Sequence, residues 1–210
     1  MKRSPRVHVW PVALDAPGER MDEHLAALDA DELERASRLR APRDSRRFVV
    51  AHGRLRQLLA RELGIRPAEV ALRREPRGRP YVKGSDVRFS LARSAGFALV
   101  ALTRGRAVGV DVERRRDGIA CAEIARHFFS PREAAHLRAL PEPARSATFL
   151  TWWTRKEAVL KATGEGITER LAAAPPPGWS VRDLAAGPGH FGAVAVQDLD
   201  PVVVWHGTPA

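Results

Sequence analysis

The chain has one cysteine, Cys121, which excludes an internal disulfide framework and any zinc cluster built on thiolates. It has one tyrosine, and few phenylalanines stand near its arginine runs, so the basic segments lack the aromatic interleaving that stacks nucleic-acid bases. Its longest apolar run, Phe97 to Leu102, is far short of the roughly 20 residues a membrane-spanning helix needs. The N-terminus starts basic but breaks at Pro11 without an uninterrupted apolar stretch, so no signal peptide is expected. Neither an internal repeat nor a low-complexity linker is visible. A cytoplasmic enzyme or binding protein, without membrane or nucleic-acid partners, is the expectation.

Lysine is also scarce. Of 35 basic residues only Lys2, Lys83, Lys156 and Lys161 are lysines, so 31 are arginine, set against 25 acids for a net charge of +10. A GC-rich genome would give part of that bias without any function, because Arg and Ala codons rise together there. A surplus of this size still favours polyanionic partners, such as phosphorylated ligands or an acidic protein. With 44% hydrophobic and 29% charged residues over 210 positions, the chain is long enough for one large domain or two small ones sharing a core.

Local signals place the elements. Asp29 followed by Glu32 is a capping-box pattern that opens a short helix ending before Pro42. Asp44 can cap a second helix running to about Leu63, with Gly64 at its end. Arg47, Arg54 and Arg61 recur along one side of that helix, an ordinary solvated stripe. Strands follow. Val87, Phe89 and Leu91 alternate with small or charged residues. Phe97–Leu102 and Ala107–Val112 flank Thr103-Arg104-Gly105-Arg106 and read as a β-hairpin. Ser130-Pro131-Arg132-Glu133 opens a helix, and a longer one is predicted from about Ala144 to Thr163, ending at Gly164. Ala172 to Gly178 reads as a loop before strands at Gly192–Val196 and Val202–Trp205. The order predicts an α+β protein with antiparallel sheets.

Two constellations carry chemistry. In Val108-Gly109-Val110-Asp111-Val112-Glu113 the valines face one side of a strand while Gly109, Asp111 and Glu113 face the other. Carboxylates at i and i+2 lie about 6.5–7 Å apart and can converge on one hard cation. The plainer reading is a polar face on an exposed edge strand. On the long helix Trp153, Glu157 and Lys161 follow at i, i+4 and i+8. Glu157 to Lys161 is equally the favoured order for a surface salt bridge, and Trp153 equally a core aromatic. A large tryptophan on the same face, however, points to partial burial, where unpaired charges are costly.

These residues resemble the Sfp-type 4'-phosphopantetheinyl transferases. The magnesium motif G-[IV]-D-x-E of that family appears as Gly109-Val110-Asp111-Val112-Glu113. Its helix motif W-x-x-K-E-[AS]-x-x-K-x-x-G is matched by Trp153, Lys156, Glu157, Ala158, Lys161 and Gly164. Between them Phe128-Phe129-Ser130-Pro131-Arg132-Glu133 matches F-F-S-x-x-E. Gly78-Arg79-Pro80 resembles the family's G-K-P, and Arg47, with Ala51 and Arg56, resembles a helix carrying a coenzyme A-binding arginine.

The resemblance implies two similar α/β halves in pseudo-twofold arrangement, here 1–103 and 104–210, with the active site between them. It implies transfer of the phosphopantetheine arm of coenzyme A to a serine of an apo acyl or peptidyl carrier protein, releasing adenosine 3',5'-bisphosphate. Asp111, Glu113 and Glu157 would hold Mg²⁺. Lys161 would stabilise the leaving phosphate, and Arg47, Arg79, Arg93, Lys156 and Lys161 would contact coenzyme A. Glu133 would be either a base for the attacking serine or the cap of its helix, with Glu157 as the other candidate base. The family's shorter holo-acyl-carrier-protein synthases are trimers of one half, so a chain holding both halves is expected to be a monomer.

The chain departs from F-N-x-S-H-S at Phe89-Ser90-Leu91-Ala92-Arg93-Ser94, where serine replaces asparagine, Ala92 a phosphate-contacting serine, and Arg93 the histidine. Those changes leave a second reading open, a coenzyme A- or carrier-binding homologue with impaired catalysis.

Overall fold

The structure, a computed structural model, describes residues 4–165 and 169–207. It opens on β1 (Arg6–Ala13), followed by short helices α1 (Met21–Ala27) and α2 (Ala30–Ser37) and the long α3 (Pro42–Leu63). The small ribbon β2 (Leu72–Arg74) and β3 (Pro80–Val82) precedes β4 (Val87–Ser94) and β5 (Phe97–Arg104). The second half repeats the plan with β6 (Val108–Arg114), α4 (Cys121–Phe128), α5 (Pro131–Ala139), α6 (Ala144–Thr163), β7 (Ser180–Leu184) and β8 (His190–Val196). A last strand, β9 (Val202–Trp205), ends the described chain.

The two halves share one topology. The first sheet runs β4-β5-β1-β9 and the second β6-β8-β7. In each, the first strand of the half pairs with the third, and the third with the second. Each half also has one long helix that ends on a left-handed glycine, Gly64 (φ +69°) after α3 and Gly164 (φ +74°) after α6. The repeat invisible in the side chains is therefore present in the backbone.

The layers stack as helix, sheet, sheet, helix. One face of the first sheet, including Val12, Val100 and Leu102, packs on α3 through Val50, Leu55 and Leu59. Its other face, Val7, Val9, Leu99 and Ala101, meets Val108, Val110, Val112, Val194 and Val196 of the second sheet. A layer of small side chains, Ala158, Ala162, Ala193 and Ala195, seats α6 on the outer face of that sheet.

One expectation is corrected. Phe97–Leu102 and Ala107–Val112 do not form a hairpin. β5 pairs with β4 on one side and β1 on the other, so both its edges are taken. The turn at Gly105 instead carries the chain across to β6, which pairs with β8. The true hairpin is β4–β5, closed by Ala95 and Gly96 between the paired Ser94 and Phe97. The sheets are antiparallel except where β9 joins β1 in parallel. Helix α3 begins at Pro42, two residues before the expected Asp44 cap, because proline is well placed at a first helical position.

The expected capping box on α2 is present: Asp29 accepts from the Glu32 N–H, and the Glu32 carboxylate accepts from the Asp29 N–H. Glu32 and Asp29 also bind the fully buried Arg56, which donates to the Pro67 and Val70 carbonyls as well. Arg56 is thus a girder beneath α2. Burial alone would raise the Glu32 carboxyl, but the His52 hydrogen bond and the Arg56 cation more than offset it and hold it below the usual range. A carboxyl lowered in the folded state stabilises above its unfolded value and loses that contribution as pH falls. Glu32→Gln is therefore expected to lose about 2 kcal/mol at neutral pH, a deficit that shrinks below about pH 4.5 when melts are followed across the acid range.

Candidate active site

The valines of β6 are consumed by the core, which turns Gly109, Asp111 and Glu113 toward α6. Gly109 is required by the closeness of the helix: a Cβ there would overlap the Ala158 carbonyl oxygen and stand 2.5 Å from the Ala162 nitrogen. The polar face of β6 is accordingly no exposed edge. Asp111 is 4% exposed and Glu157, from the facing turn of α6, 7%.

Lys161 Nζ donates to Asp111 Oδ1 at 2.5 Å, so its ion pair is with the strand. Burial, the largest effect, raises the Asp111 carboxyl to about 7; Lys161 opposes the shift, and Glu113 and Glu157 add to it. The Glu157 carboxyl is raised as well, first by burial and then by Glu113, against Lys161. Three acids thus repel one another across a strand–helix junction. Asp111 Oδ2 and Glu157 Oε1 are buried without any hydrogen-bond partner among the described residues. Among the described residues no three carboxylate, imidazole or thiol groups are drawn together tightly enough to form a finished metal cage. What the two orphaned oxygens lack is a cation or a donor, and the all-oxygen chemistry of the three acids suits a hard divalent ion.

Glu157, Lys161 and Gly164 line a cleft of about 680 Å³, whose other wall comes from the first half. That wall is basic on balance: Arg35, Arg73, Arg74, Arg77, Arg79 and Arg93 all reach it, against Asp29, Asp31 and Glu32. Arg35 and Arg93 both lie over the Phe48 ring, at 5.2 and 5.4 Å from its centre. His52 stacks on the same ring and places Nδ1 3.0 Å from Glu32. Arg79 pairs with Glu75 and donates to the Ala162 carbonyl in the last turn of α6, so it also joins the halves.

The expected site residues do not all meet there. Arg47 is held by Asp15 in a two-pronged ion pair and is not among the residues lining this cleft. Glu133 and Lys156 pair at 2.9 Å on the other side of α6, in a second cavity of about 620 Å³ with Trp152, Val159 and the 172–176 loop. Leu160 borders both cavities. Glu133 accepts from the Ser130 N–H and hydroxyl, both at 2.9 Å, closing the capping box on α5. Burial would raise its carboxyl, but Ser130 and Lys156 hold it below the ordinary value. Trp153 packs with Phe128, Phe129 and Phe149 as a core aromatic.

Sequence reasoning missed Arg35, Phe48 and His52 as a group, although Phe48 and His52 stand four apart on α3. It also missed that the hydroxyls of Ser90 and Ser94 face β6, accepting from the Val110 and Arg114 N–H groups at 3.1 and 3.0 Å. A serine at every fourth position of a strand carries no warning of that role.

Among known proteins, residues 107–201 match the ACPS family, described as the 4'-phosphopantetheinyl transferase superfamily. The chain is 36% identical over 209 residues to the 4'-phosphopantetheinyl transferase HetI of Nostoc sp., covering 92% of this chain and 88% of HetI. It is 28% identical over 164 residues to a 4'-phosphopantetheinyl transferase of Bacillus subtilis, covering 76% and 71%. To the 4'-phosphopantetheinyl transferase Sfp of Bacillus subtilis strain 168 the identity is 21% over 163 residues, with the same two coverages, 76% and 71%. No helix among the described residues is long and apolar enough to cross a membrane. With its duplicated α+β fold and the cleft between its halves, the chain belongs to the 4'-phosphopantetheinyl transferase superfamily.

Proposed function

We propose that the protein moves the 4'-phosphopantetheine arm of coenzyme A onto a serine of an apo acyl or peptidyl carrier protein, releasing adenosine 3',5'-bisphosphate. The observation that carries this reading is one cleft with opposite walls: six arginines from the first half, and Glu157 and Lys161 beside buried Asp111 from the second. A pyrophosphate with a further 3'-phosphate is a polyanion, and guanidinium groups grip phosphate oxygens bidentately. Arg79 and Arg93 are assigned to those phosphates, and residues 1–103 to most of the coenzyme A contacts.

Asp111, Glu113 and Glu157 would hold Mg²⁺, the two orphaned carboxylate oxygens being the support for that assignment. When bound, the ion neutralises charge building on the pyrophosphate. Lys161, a point charge on a flexible stem, reaches the same cleft and stabilises the leaving phosphate. Phosphoryl transfer of this kind rests mainly on positioning and electrostatics. The serine's proton is assigned to Glu157, the other candidate base, through its Oε2, since Oε1 is given to the ion. Glu133 is assigned to its cap, since both of its oxygens are already engaged. The net charge of +10 favours an acidic carrier, and a monomer acting in the cytoplasm completes the proposal.

The test is incubation with coenzyme A, Mg²⁺ and a panel of apo carrier proteins, read as intact mass. A gain equal to the phosphopantetheine arm, lost when the metal is chelated, is the expected result. Coenzyme A binding by calorimetry without any mass gain would favour instead the impaired homologue that Ala92 raises. In the same assay Glu133→Gln, which keeps a capping-competent side chain, should retain activity within about 5-fold, whereas a proton acceptor contributes about 100-fold or more.

A further inference from the structure

Strands β4 and β6 are the facing edges of the two sheets, and they are bridged by the hydroxyls of Ser90 and Ser94. The second bridge differs in kind from the first. Ser94 Oγ accepts from the Arg114 N–H at 3.0 Å and donates to Glu113 Oε2 at 2.7 Å. A hydroxyl has one proton, and a backbone N–H cannot accept it, so the proton has one destination. The carboxylate of Glu113 is therefore held by a donor that belongs to the other half of the molecule.

Ser94 is itself tightly placed. It is the last residue of β4, and the next, Ala95, has φ +53°, a left-handed conformation that costs a residue with a side chain about 1 kcal/mol or more. Glycine is one position later, where it is needed for space: a Cβ on Gly96 would stand 2.6 Å from the Asp15 carboxylate, which Arg47 clamps. The strand end, the left-handed turn and the Asp15–Arg47 pair together hold the backbone from which the Ser94 side chain springs, and its two hydrogen bonds aim the hydroxyl.

We infer that Ser94 is a positioning residue for the ion site: its hydroxyl orients the Glu113 carboxylate, so that the coenzyme A half of the chain sets a cation-holding side chain of the other half. This rests on the assignment of Asp111, Glu113 and Glu157 to Mg²⁺. Side chains that orient metal ligands are typically worth about 10-fold or more in metal affinity.

The experiment measures Mg²⁺ binding by calorimetry, and Mn²⁺ binding by electron paramagnetic resonance, on the full chain free of coenzyme A, alongside Mg²⁺ activation and the KM for coenzyme A. For Ser94→Ala a loss of about 10-fold in ion affinity is expected, with KM for coenzyme A within about 2-fold and the Mg²⁺ requirement raised in parallel. Ser94→Thr, which keeps the hydroxyl, should recover most of the loss, and thermal melts of both variants guard against simple misfolding. Unchanged ion affinity in a folded Ser94→Ala variant overturns the inference, as does a loss confined to KM for coenzyme A or a folded Ser94→Thr that recovers nothing. If wild type binds neither ion, or if Asp111→Asn binds as well as wild type, the ion assignment fails and the inference falls with it. A wild type that binds, an Asp111→Asn that does not, and an unaffected Ser94→Ala sink the inference alone.

Discussion

Asp111→Asn is expected to cut the transfer rate by about 1000-fold or more while leaving the melting temperature within a few degrees of wild type. The rate loss follows from removing the innermost carboxylate of the proposed ion site, because a metal contributes several kcal/mol and each 1.36 kcal/mol is about tenfold in rate. The unchanged stability follows from the residue's surroundings. Asp111 is 4% exposed, its Oδ2 has no donor among the described residues, and burial raises its carboxyl to about 7, so at neutral pH its charge opposes folding. Asparagine keeps the shape and sheds the charge, and the one partner it deserts, Lys161, is a third exposed and still reaches solvent. Rates from intact-mass time courses and thermal melts in parallel check both halves of the prediction. Transfer at the wild-type rate would reject the ion assignment.

Gly109→Val should act through the opposite route, by wrecking the frame. The atoms a side chain would meet, the Ala158 carbonyl and the Ala162 nitrogen, are backbone and cannot swing aside. Helix α6 would have to lift off β6, opening the layer formed by Ala158, Ala162, Ala193 and Ala195. Overpacking a core costs about 1–3 kcal/mol even where side chains can yield. Where backbone must move the expected cost is at the top of that range or above it, a fall of roughly 10 °C in a chain of this length. Activity should fall with it, since Glu157 and Lys161 ride on α6 while Asp111 and Glu113 ride on β6. A variant that melts like wild type would contradict the close helix–strand contact on which the site depends.

The parts of this architecture that were legible in the sequence are those written within four or five residues. The capping boxes Asp29–Glu32 and Ser130–Glu133 appear where their spacing places them, and α6 runs from Ala144 to Thr163 and stops on Gly164. The alternation of β6 correctly separated the valines from Gly109, Asp111 and Glu113. What could not be read was pairing between distant segments. The turn at Thr103–Arg106 has hairpin composition, yet whether two strands pair depends on which edges are already taken, and β1 and β4 occupy those of β5. β1 itself was hidden by Pro11, which is tolerated because it lies beyond the Arg6–Val9 stretch that pairs with β9, where β1 has a partner on the β5 side alone among the described residues.

The same limit divided the site. The motif around Glu157 reads as one unit, but consecutive residues on a helix point about 100° apart. Lys156 and Glu157 therefore open into different cavities, with Leu160 between them. Likewise the order Glu157 then Lys161 suggested a bridge along the helix, and only the facing strand offers Lys161 the Asp111 carboxylate at 2.5 Å.

The parallel pairing of β9 with β1 has a bearing on how the chain comes off the ribosome. Arg6 is registered against Val202, so an early-made segment completes its sheet only with one synthesised nearly two hundred residues afterwards. Throughout elongation the nascent first half carries a bare row of amide and carbonyl groups along that side, the kind of surface that recruits stray chains. Closure by so distant a segment is slow in kinetic terms, so that side of the sheet stays open until the last strand has been made.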